Sequence, residues 1–227
     1  MFYAIDPMYW LFALPGLILS FFASMYVKST FAKYSQVRSQ SGMTGAQAAY
    51  EMLRRSGVTD VAIEPVQGFL SDHYDPTSRT LRLSPDVYNS SSLAAIGVAC
   101  HEAGHALQHA SNYAWLGLRS SLVPVASFGS NFGYIIFIVG LFIQSTMLLK
   151  IGILVFAAAV LFTIVTLPVE WNASARAKVA MVETGIVNHA ESNDAGAVLN
   201  AAFLTYVAAA ISAIMTLLYL IMRSRRR

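Results

Sequence analysis

Charge is scarce in this sequence, and this shortage is the first constraint on what the protein can be. Only 12% of its 227 residues are Asp, Glu, Lys or Arg, whereas 56% are hydrophobic. An ordinary soluble domain carries about 25% charged residues. The deficit excludes a purely water-soluble fold and indicates that much of the apolar surface faces lipid.

Cysteine is almost absent as well, since Cys100 is the only one in the sequence. A single thiol cannot form an intramolecular disulfide, so nothing points to an oxidising compartment. The net charge is only +3, and the basic residues lie beside apolar segments. This pattern is typical of membrane flanks rather than of nucleic-acid binding, so we expect a lipid bilayer and no nucleic acid among the partners.

Four charge-free stretches are long enough to cross a bilayer, which takes about 20 apolar residues. They cover residues 7–27, 120–149, 151–169 and 195–222. The first has no basic segment before it, so we interpret it as a retained anchor rather than a signal peptide. The second stretch is separated from the third by little more than the polar residues 144–146 and Lys150, which predicts a transmembrane hairpin. Lys150 is expected to extend its ammonium group to the membrane interface.

Residues 28–119 form the only long polar part of the chain, where most of the water-facing structure is expected. The expected elements are a short helix from Thr44 that Gly57 ends, strands at 61–65 and 69–74, a turn at 75–78, a strand at 80–83, and a helix over 93–110. The sequence thus predicts a mainly α integral membrane protein with four transmembrane helices and a small α+β part that contains a β-hairpin.

The predicted organisation along the chain has five parts. They are a transmembrane anchor (1–27), a water-facing catalytic part (28–119), a transmembrane hairpin (120–169), a returning segment (170–194), and a C-terminal transmembrane helix with a basic tail (195–227).

The 93–110 helix carries an H-E-x-x-H pattern that begins at His101. His101 and His105 are four residues apart, so both imidazoles leave one helix face and can hold one zinc ion. Glu102 is rotated by about 100° from His101 and suits a general base that takes a proton from the attacking water. The uncharged flanks predict that this helix is buried, and the pattern therefore indicates a zinc hydrolase.

Zinc would need a third protein ligand. By residue type the candidates are Asp72, His73, Asp75, His109, Glu170, Glu183, His189 and Glu191. His109 lies one turn beyond His105, and the elongated motif with a third histidine is excluded because Ser111 stands at that place. Glu170 is favoured, because a transmembrane hairpin returns the chain to the face that it left and delivers this carboxylate beside the zinc helix. The alternative is that Glu170 only marks the membrane boundary.

Several segments together carry a family resemblance. They are Ser71-Asp72-His73-Tyr74-Asp75-Pro76, Leu81-Arg82-Leu83-Ser84, Val87-Tyr88, the His101 motif, and Pro168-Val169-Glu170-Trp171-Asn172-Ala173-Ser174. In these segments the chain resembles the YugP-like family of neutral zinc peptidases of bacterial membranes. The resemblance extends over nearly the whole length of the chain. The resemblance implies His101, His105 and Glu170 as ligands of Zn²⁺ and Glu102 as catalytic base.

The order of elements is also similar, more distantly, to the HtpX and CAAX-type membrane metallopeptidases. In those families an aspartate usually follows the ligand glutamate by four residues and orients a zinc histidine. Here Ser174 stands at that place, and its hydroxyl could serve the histidine instead.

These observations predict a zinc metalloendopeptidase that cleaves polypeptides, membrane proteins or peptides among them, near the surface of the bacterial cytoplasmic membrane. Arg176 is the favoured oxyanion stabiliser among Asn172, His73 and Tyr206, although it could simply flank the membrane. The strand at 80–84 is expected to offer an edge to an extended substrate.

The side of the membrane on which the active site lies and the function of the protein both leave alternatives open. Asp6 before the first anchor, and Lys28, Lys33 and Arg38 after it, favour a cytoplasmic active site, whereas the arginines of the C-terminal tail oppose that placement. A zinc-stabilised membrane adaptor or chaperone without proteolysis, and a zinc hydrolase acting on lipids, are the competing functions.

Overall fold

The computed structural model describes residues 7–68 and 71–225. Its elements, in chain order, are α1 (Pro7–Ser35), α2 (Gly45–Arg55), β1 (Ala62–Pro65), β2 (His73–Asp75), β3 (Thr80–Leu83), α3 (Pro85–Tyr88), α4 (Leu93–Ala110), α5 (Ala114–Phe128), a π-helical turn (Gly129–Gly133), α6 (Tyr134–Phe142), α7 (Thr146–Glu183) and α8 (His189–Arg225). Asp6, which bears on the predicted orientation, and Phe69, where a strand was expected to begin, lie outside the described residues.

Among the described residues, four helical segments are long and apolar enough to cross a membrane, as the sequence predicts. They are Pro7–Ser35, Ala114–Phe142, Thr146–Glu183 and His189–Arg225. The turn between the second and third falls at residues 143–145, before Lys150, so the predicted limits of 149 and 151 are wrong. Gln144 adopts a positive φ of 57°, and the backbone carbonyl of Ser145 accepts a hydrogen bond from the Leu149 backbone N–H at 3.1 Å as α7 begins. The turn overlaps the predicted polar separator at 144–146. No charged residue marks it, so the charge-free stretches by themselves place the limits of the two spans too late in the chain.

The described chain divides into two compact units. Of the described residues, the first unit, the span unit, comprises 7–24, 117–168 and 204–225, and the second, the centre unit, comprises 25–68, 71–116 and 169–203. In the span unit, Phe137, Leu149, Tyr219 and Leu220 form a buried cluster. Backbones approach closely there, since a Cβ on Gly133 would lie 2.7 Å from the backbone nitrogen of Phe156.

The centre unit contains a three-stranded sheet in the order β1-β3-β2. Strand β3 pairs in parallel with β1 and antiparallel with β2, with Leu81 opposite both Ile63 and Tyr74. The expected hairpin is thus present as β2–β3. The expected substrate edge on 80–84 is wrong, because β3 is central and its backbone is paired on both sides.

Helix α4 lies at the middle of the centre unit and spans the residues that the sequence predicts. Ser92 caps its N-terminus by accepting a hydrogen bond from the Ala95 backbone N–H at 3.2 Å. Helix α2, capped by Thr44 in a capping box, packs on it. Most of α4 is buried, including Ile96 and Ala103, so its polar side chains need partners inside the protein.

Candidate metal centre

Two imidazoles leave the same face of α4, one helical turn apart. The ring centroids of His101 and His105 are 4.9 Å apart and the rings are almost perpendicular. His105 is 6% exposed, and the residues between the two histidines, Ala103 and Gly104, are buried. The four-residue spacing therefore produces the paired histidines that it predicts.

Glu170, on α7, completes a cluster with these histidines. Its Oε2 atom lies 3.2 Å from Nε2 of His101 and 3.6 Å from Nε2 of His105, and the carboxylate is 2% exposed. One ligand atom from each residue lies within 4.8 Å of the others. Within residues 7–68 and 71–225 this is the one group of three such side chains that could hold a metal ion.

The cluster fits a zinc ion by its donor chemistry. Zinc binds imidazole nitrogen and carboxylate oxygen, and a site of two histidines and a glutamate is one of its common catalytic sets. Each histidine presents Nε2 to the cluster, while its Nδ1 is hydrogen-bonded elsewhere. Imidazoles oriented in this way are typical of metal ligands.

Ser174 is the partner of the first histidine. Its Oγ lies 3.0 Å from Nδ1 of His101. It follows Glu170 by four residues in a continuous helix, so both side chains leave one face of α7. The serine therefore contacts the histidine from the place where the distantly similar families usually carry an aspartate.

Gln108 is the partner of the second histidine, and sequence reasoning missed it. Its Oε1 lies 3.0 Å from Nδ1 of His105, and its Nε2 donates to the Val169 carbonyl at 2.8 Å and to Asn172 Oδ1 at 3.0 Å. A glutamine on the buried face of a helix, three residues after a ligand histidine, is a signal that could have identified it.

Glu102 lies beside the cluster and is held by strand β2. Its Oε2 accepts a hydrogen bond from the Tyr74 backbone N–H at 3.0 Å. Desolvation raises the pKa of the Glu102 carboxyl, although His101 and His105 oppose the shift. A carboxyl whose pKa is raised is better suited to exchange protons near neutral pH.

The charges also act on the second histidine. Burial lowers the pKa of His105, but the Glu170 carboxylate 3.6 Å from its Nε2 and the nearby charge of Glu102 outweigh this effect, so the pKa of His105 is raised overall. A bound cation would take the place of that proton.

Arg176 reaches the same region through its neighbours. Its Nε donates to Asn172 Oδ1 at 2.8 Å, and the guanidinium carbon lies 5.7 Å from the centroid of the Tyr113 ring. The structure thus joins Arg176 to Gln108 through Asn172. The role of Arg176 as oxyanion stabiliser stays a prediction.

Three of the other candidate ligands, His109, Asp72 and Asp75, have different partners. Tyr74 bonds His109 Nδ1 through its hydroxyl at 2.9 Å, and Asp72 accepts from the backbone N–H and the hydroxyl of Ser84. The Ser78 hydroxyl and the Thr77 backbone N–H hold the pKa of Asp75 well below its usual range. These aspartates therefore organise the hairpin, and Asp75 does so at the turn that the sequence predicts over 75–78.

Comparison with known proteins agrees with this geometry. A family model described as "Putative neutral zinc metallopeptidase" matches residues 9–225. The chain is 49% identical over 204 residues to the "Putative membrane protease YugP" of Bacillus subtilis (strain 168), which covers 90% of this chain and 91% of that relative. No solved structure matches the chain.

The family match covers nearly the whole described chain and includes the histidine pair, the glutamates and all four apolar helices. The buried His-His-Glu cluster lies within it, at residues that could hold a metal. The chain therefore belongs to the neutral zinc metallopeptidase family and is an integral membrane protein.

Proposed function

We propose that this protein is a zinc-dependent membrane endopeptidase. The observation that carries the proposal is the convergence of His101, His105 and Glu170 on one point, with Glu102 next to them on α4. A cluster that only stabilised the fold would have no use for a further carboxylate at that position. Zinc sites in hydrolases combine three protein ligands with such a base.

In the proposed reaction, zinc held by His101, His105 and Glu170 supplies Lewis acidity at the scissile carbonyl and at the attacking water. Glu102 accepts a proton from that water and passes it to the leaving amine nitrogen as the carbon–nitrogen bond breaks. The Tyr74 backbone N–H orients the Glu102 carboxylate for this transfer.

Arg176 is proposed to stabilise the oxyanion. Its Nε is engaged by Asn172, so the Nη nitrogens would be the donors in such a role. The ring of Tyr113 supports the guanidinium. A donor directed at developing negative charge contributes most where water is excluded.

The substrates are proposed to be polypeptides cleaved near the membrane surface, membrane proteins among them. In the sequence, Glu170 directly follows the charge-free run 151–169, which favours a centre close to the end of a span. Lys28, Lys33 and Arg38, which follow the first charge-free run 7–27, favour a centre on the cytoplasmic side of a bacterial membrane.

Zinc content and proteolysis of the full-length protein in detergent test the proposal. We expect about one zinc per chain, cleavage of an unfolded soluble protein and of a single-span membrane protein, and inhibition by a chelator. Glu102→Gln should retain zinc while its cleavage rate falls by a factor of about 10² to 10⁴. Glu64→Gln, an exposed carboxylate on β1, is the matched control and should cleave normally.

Three outcomes would contradict the proposal. Undiminished proteolysis by Glu102→Gln would overturn the role of the base. A zinc-loaded protein that cleaves neither substrate would favour an adaptor or chaperone, and release of fatty acid without peptide products would identify a lipid hydrolase.

A further inference from the structure

A fully buried amide stands behind the second histidine of the cluster. Gln108 is 0% exposed, and its side chain makes three hydrogen bonds, to His105, Val169 and Asn172. Both protons of its nitrogen and one lone pair of its oxygen are used. A buried amide satisfied in this way has one orientation, because any other would leave polar atoms unpaired.

The direction of this amide follows from a backbone group that cannot reverse its role. The Val169 carbonyl lies 2.8 Å from the Gln108 side chain, and a carbonyl oxygen only accepts. The amide nitrogen must therefore face Val169, which leaves the amide oxygen facing His105. An oxygen at 3.0 Å from Nδ1 of His105 requires that Nδ1 carry the proton.

The far end of the same chain of hydrogen bonds is fixed in the same way. Arg176 Nε lies 2.8 Å from the Asn172 side chain, and a guanidinium only donates. Asn172 must present its oxygen to Arg176, and that oxygen also accepts from Gln108 at 3.0 Å. Val169 and Arg176 therefore set the direction of every hydrogen bond between Arg176 and His105.

We infer that Gln108 is a positioning residue that locks His105 in the tautomer with the proton on Nδ1, so that the Nε2 lone pair faces the cluster. Asn172 and Arg176 hold Gln108 in place. The inference deepens the proposed function and rests on it, since a locked tautomer matters only if Nε2 is a metal ligand. No step of it depends on Arg176 contacting substrate.

The two histidines are therefore held differently. The Ser174 hydroxyl beside His101 can donate or accept, so it orients the ring without choosing where the proton lies. The amide beside His105 permits one arrangement only. This asymmetry distinguishes a tautomer lock from ordinary packing, which would constrain both rings without preference for a tautomer.

Nitrogen-15 spectroscopy of the histidines tests the inference. The full-length protein, labelled at histidine and kept in detergent with a chelator at pH about 9, is expected to show His105 as the Nδ1–H tautomer. His101 is expected as the Nε2–H tautomer, because the Glu170 carboxylate lies 3.2 Å from its Nε2 and only accepts, while the Ser174 hydroxyl can donate to Nδ1. Detection of the Nε2–H tautomer of His105 in the unmodified protein would overturn the inference without any variant.

A variant pair adds a second measurement. Gln108→Met keeps a similar volume without hydrogen bonds, and is expected to release His105 into a mixture of tautomers and to weaken zinc binding by about 10- to 100-fold in competition with a chelator. The exposed Gln67→Met is the control. Asn172→Asp keeps an acceptor for both donors and should preserve the tautomer.

The outcomes separate this inference from the proposed function. If Gln108→Met keeps the Nδ1–H tautomer and binds zinc within about twofold of the unmodified protein, the lock is wrong while the peptidase stands. If the unmodified protein binds no zinc, the proposed function fails, and with it the purpose of the lock.

Discussion

Ser174 Oγ lies 3.0 Å from His101 Nδ1, one helical turn beyond Glu170 on α7. One face of α7 thus supplies a carboxylate to the Nε2 side of this histidine and a hydroxyl to its Nδ1 side. Because both groups belong to one helix, any shift of α7 against α4 would disturb the proposed ligand and its support together.

Replacing Ser174 with alanine tests the support. We expect Ser174→Ala to weaken zinc binding by about tenfold, because loss of the hydroxyl leaves Nδ1 of a largely buried imidazole without its partner. Competition with a chelator for zinc, at constant temperature, measures the change in zinc affinity. Ser121→Ala removes an exposed helical hydroxyl that bonds only its own helix, and should bind zinc normally. Equal zinc affinities of the two variants would show that Ser174 does not support His101 as a ligand.

The contact between α4 and α7 depends on Gly104. A Cβ there would lie 2.5 Å from the Ala173 carbonyl oxygen, which is backbone and cannot move aside cheaply. We expect Gly104→Ala to lower the free energy of unfolding by about 1–3 kcal/mol and to weaken zinc binding, since the helices must separate. Thermal unfolding in detergent, with and without zinc, measures both effects.

Gly117→Ala is the matched control for that substitution. Gly117 lies within α5, and a Cβ there would meet nothing within 4 Å. Alanine favours helix by about 1 kcal/mol over glycine, so this variant should be at least as stable as the unmodified protein. A Gly104→Ala protein as stable as Gly117→Ala would show that the two helices separate without cost.

The single cysteine offers a probe of the same region. Cys100 is fully buried, and burial raises the pKa of its thiol, so alkylation by a maleimide should be slow in the folded protein. A chelator should accelerate the reaction and added zinc should slow it again, because metal binding stabilises the folded state. A cysteine placed at exposed Thr59 should react quickly in both conditions. If the chelator did not change the rate at which the maleimide alkylates Cys100, the link between metal binding and stability would be contradicted.

Helix α2 carries an acid-sensitive contact. Hydrogen bonds from Arg54 and Arg55 lower the pKa of Glu51 from 4.5 to about 2. A carboxyl with a depressed folded-state pKa contributes stability above its unfolded value, so this contribution is present above pH 4.5 and is lost as the pH falls toward 2. Carbon-13 titration of Glu51 should give a midpoint of about 2.

Substituting both arginines supplies the comparison for that titration. Arg54→Met and Arg55→Met together should return the midpoint toward 4.5, since the donors are removed. An unchanged midpoint in the double variant would exclude the arginines as the cause of the shift.

Local patterns carried a large part of the fold. Ser92 and the helical spacing after it predicted α4 with the bounds that the structure has, because capping and periodicity act within a few residues. The four apolar helices followed from charge-free length alone. The polar residues 144–146 indicated the turn at 143–145, whereas charge-free length did not, because no charged residue marks the positive φ of Gln144.

Features that join distant segments were harder to predict. The central position of β3 depends on its parallel pairing with β1, which no short pattern encodes. In the sequence Gln108 is only one of the uncharged residues that flank the His101 motif, and its role depends on α7, which brings Val169 and Asn172 to its amide. Glu170 was predictable only because connectivity, rather than spacing, indicated that the chain returns to the zinc helix.

The sequence by itself determined that this protein enters the membrane and that two histidines and a glutamate share α4, because burial of apolar length and helical periodicity are local properties. Only the tertiary structure decided what surrounds those histidines. Ser174, Gln108 and Glu170 lie 73, 3 and 65–69 residues along the chain from the histidines that they contact. The distances between these side chains depend on how α4 and α7 pack.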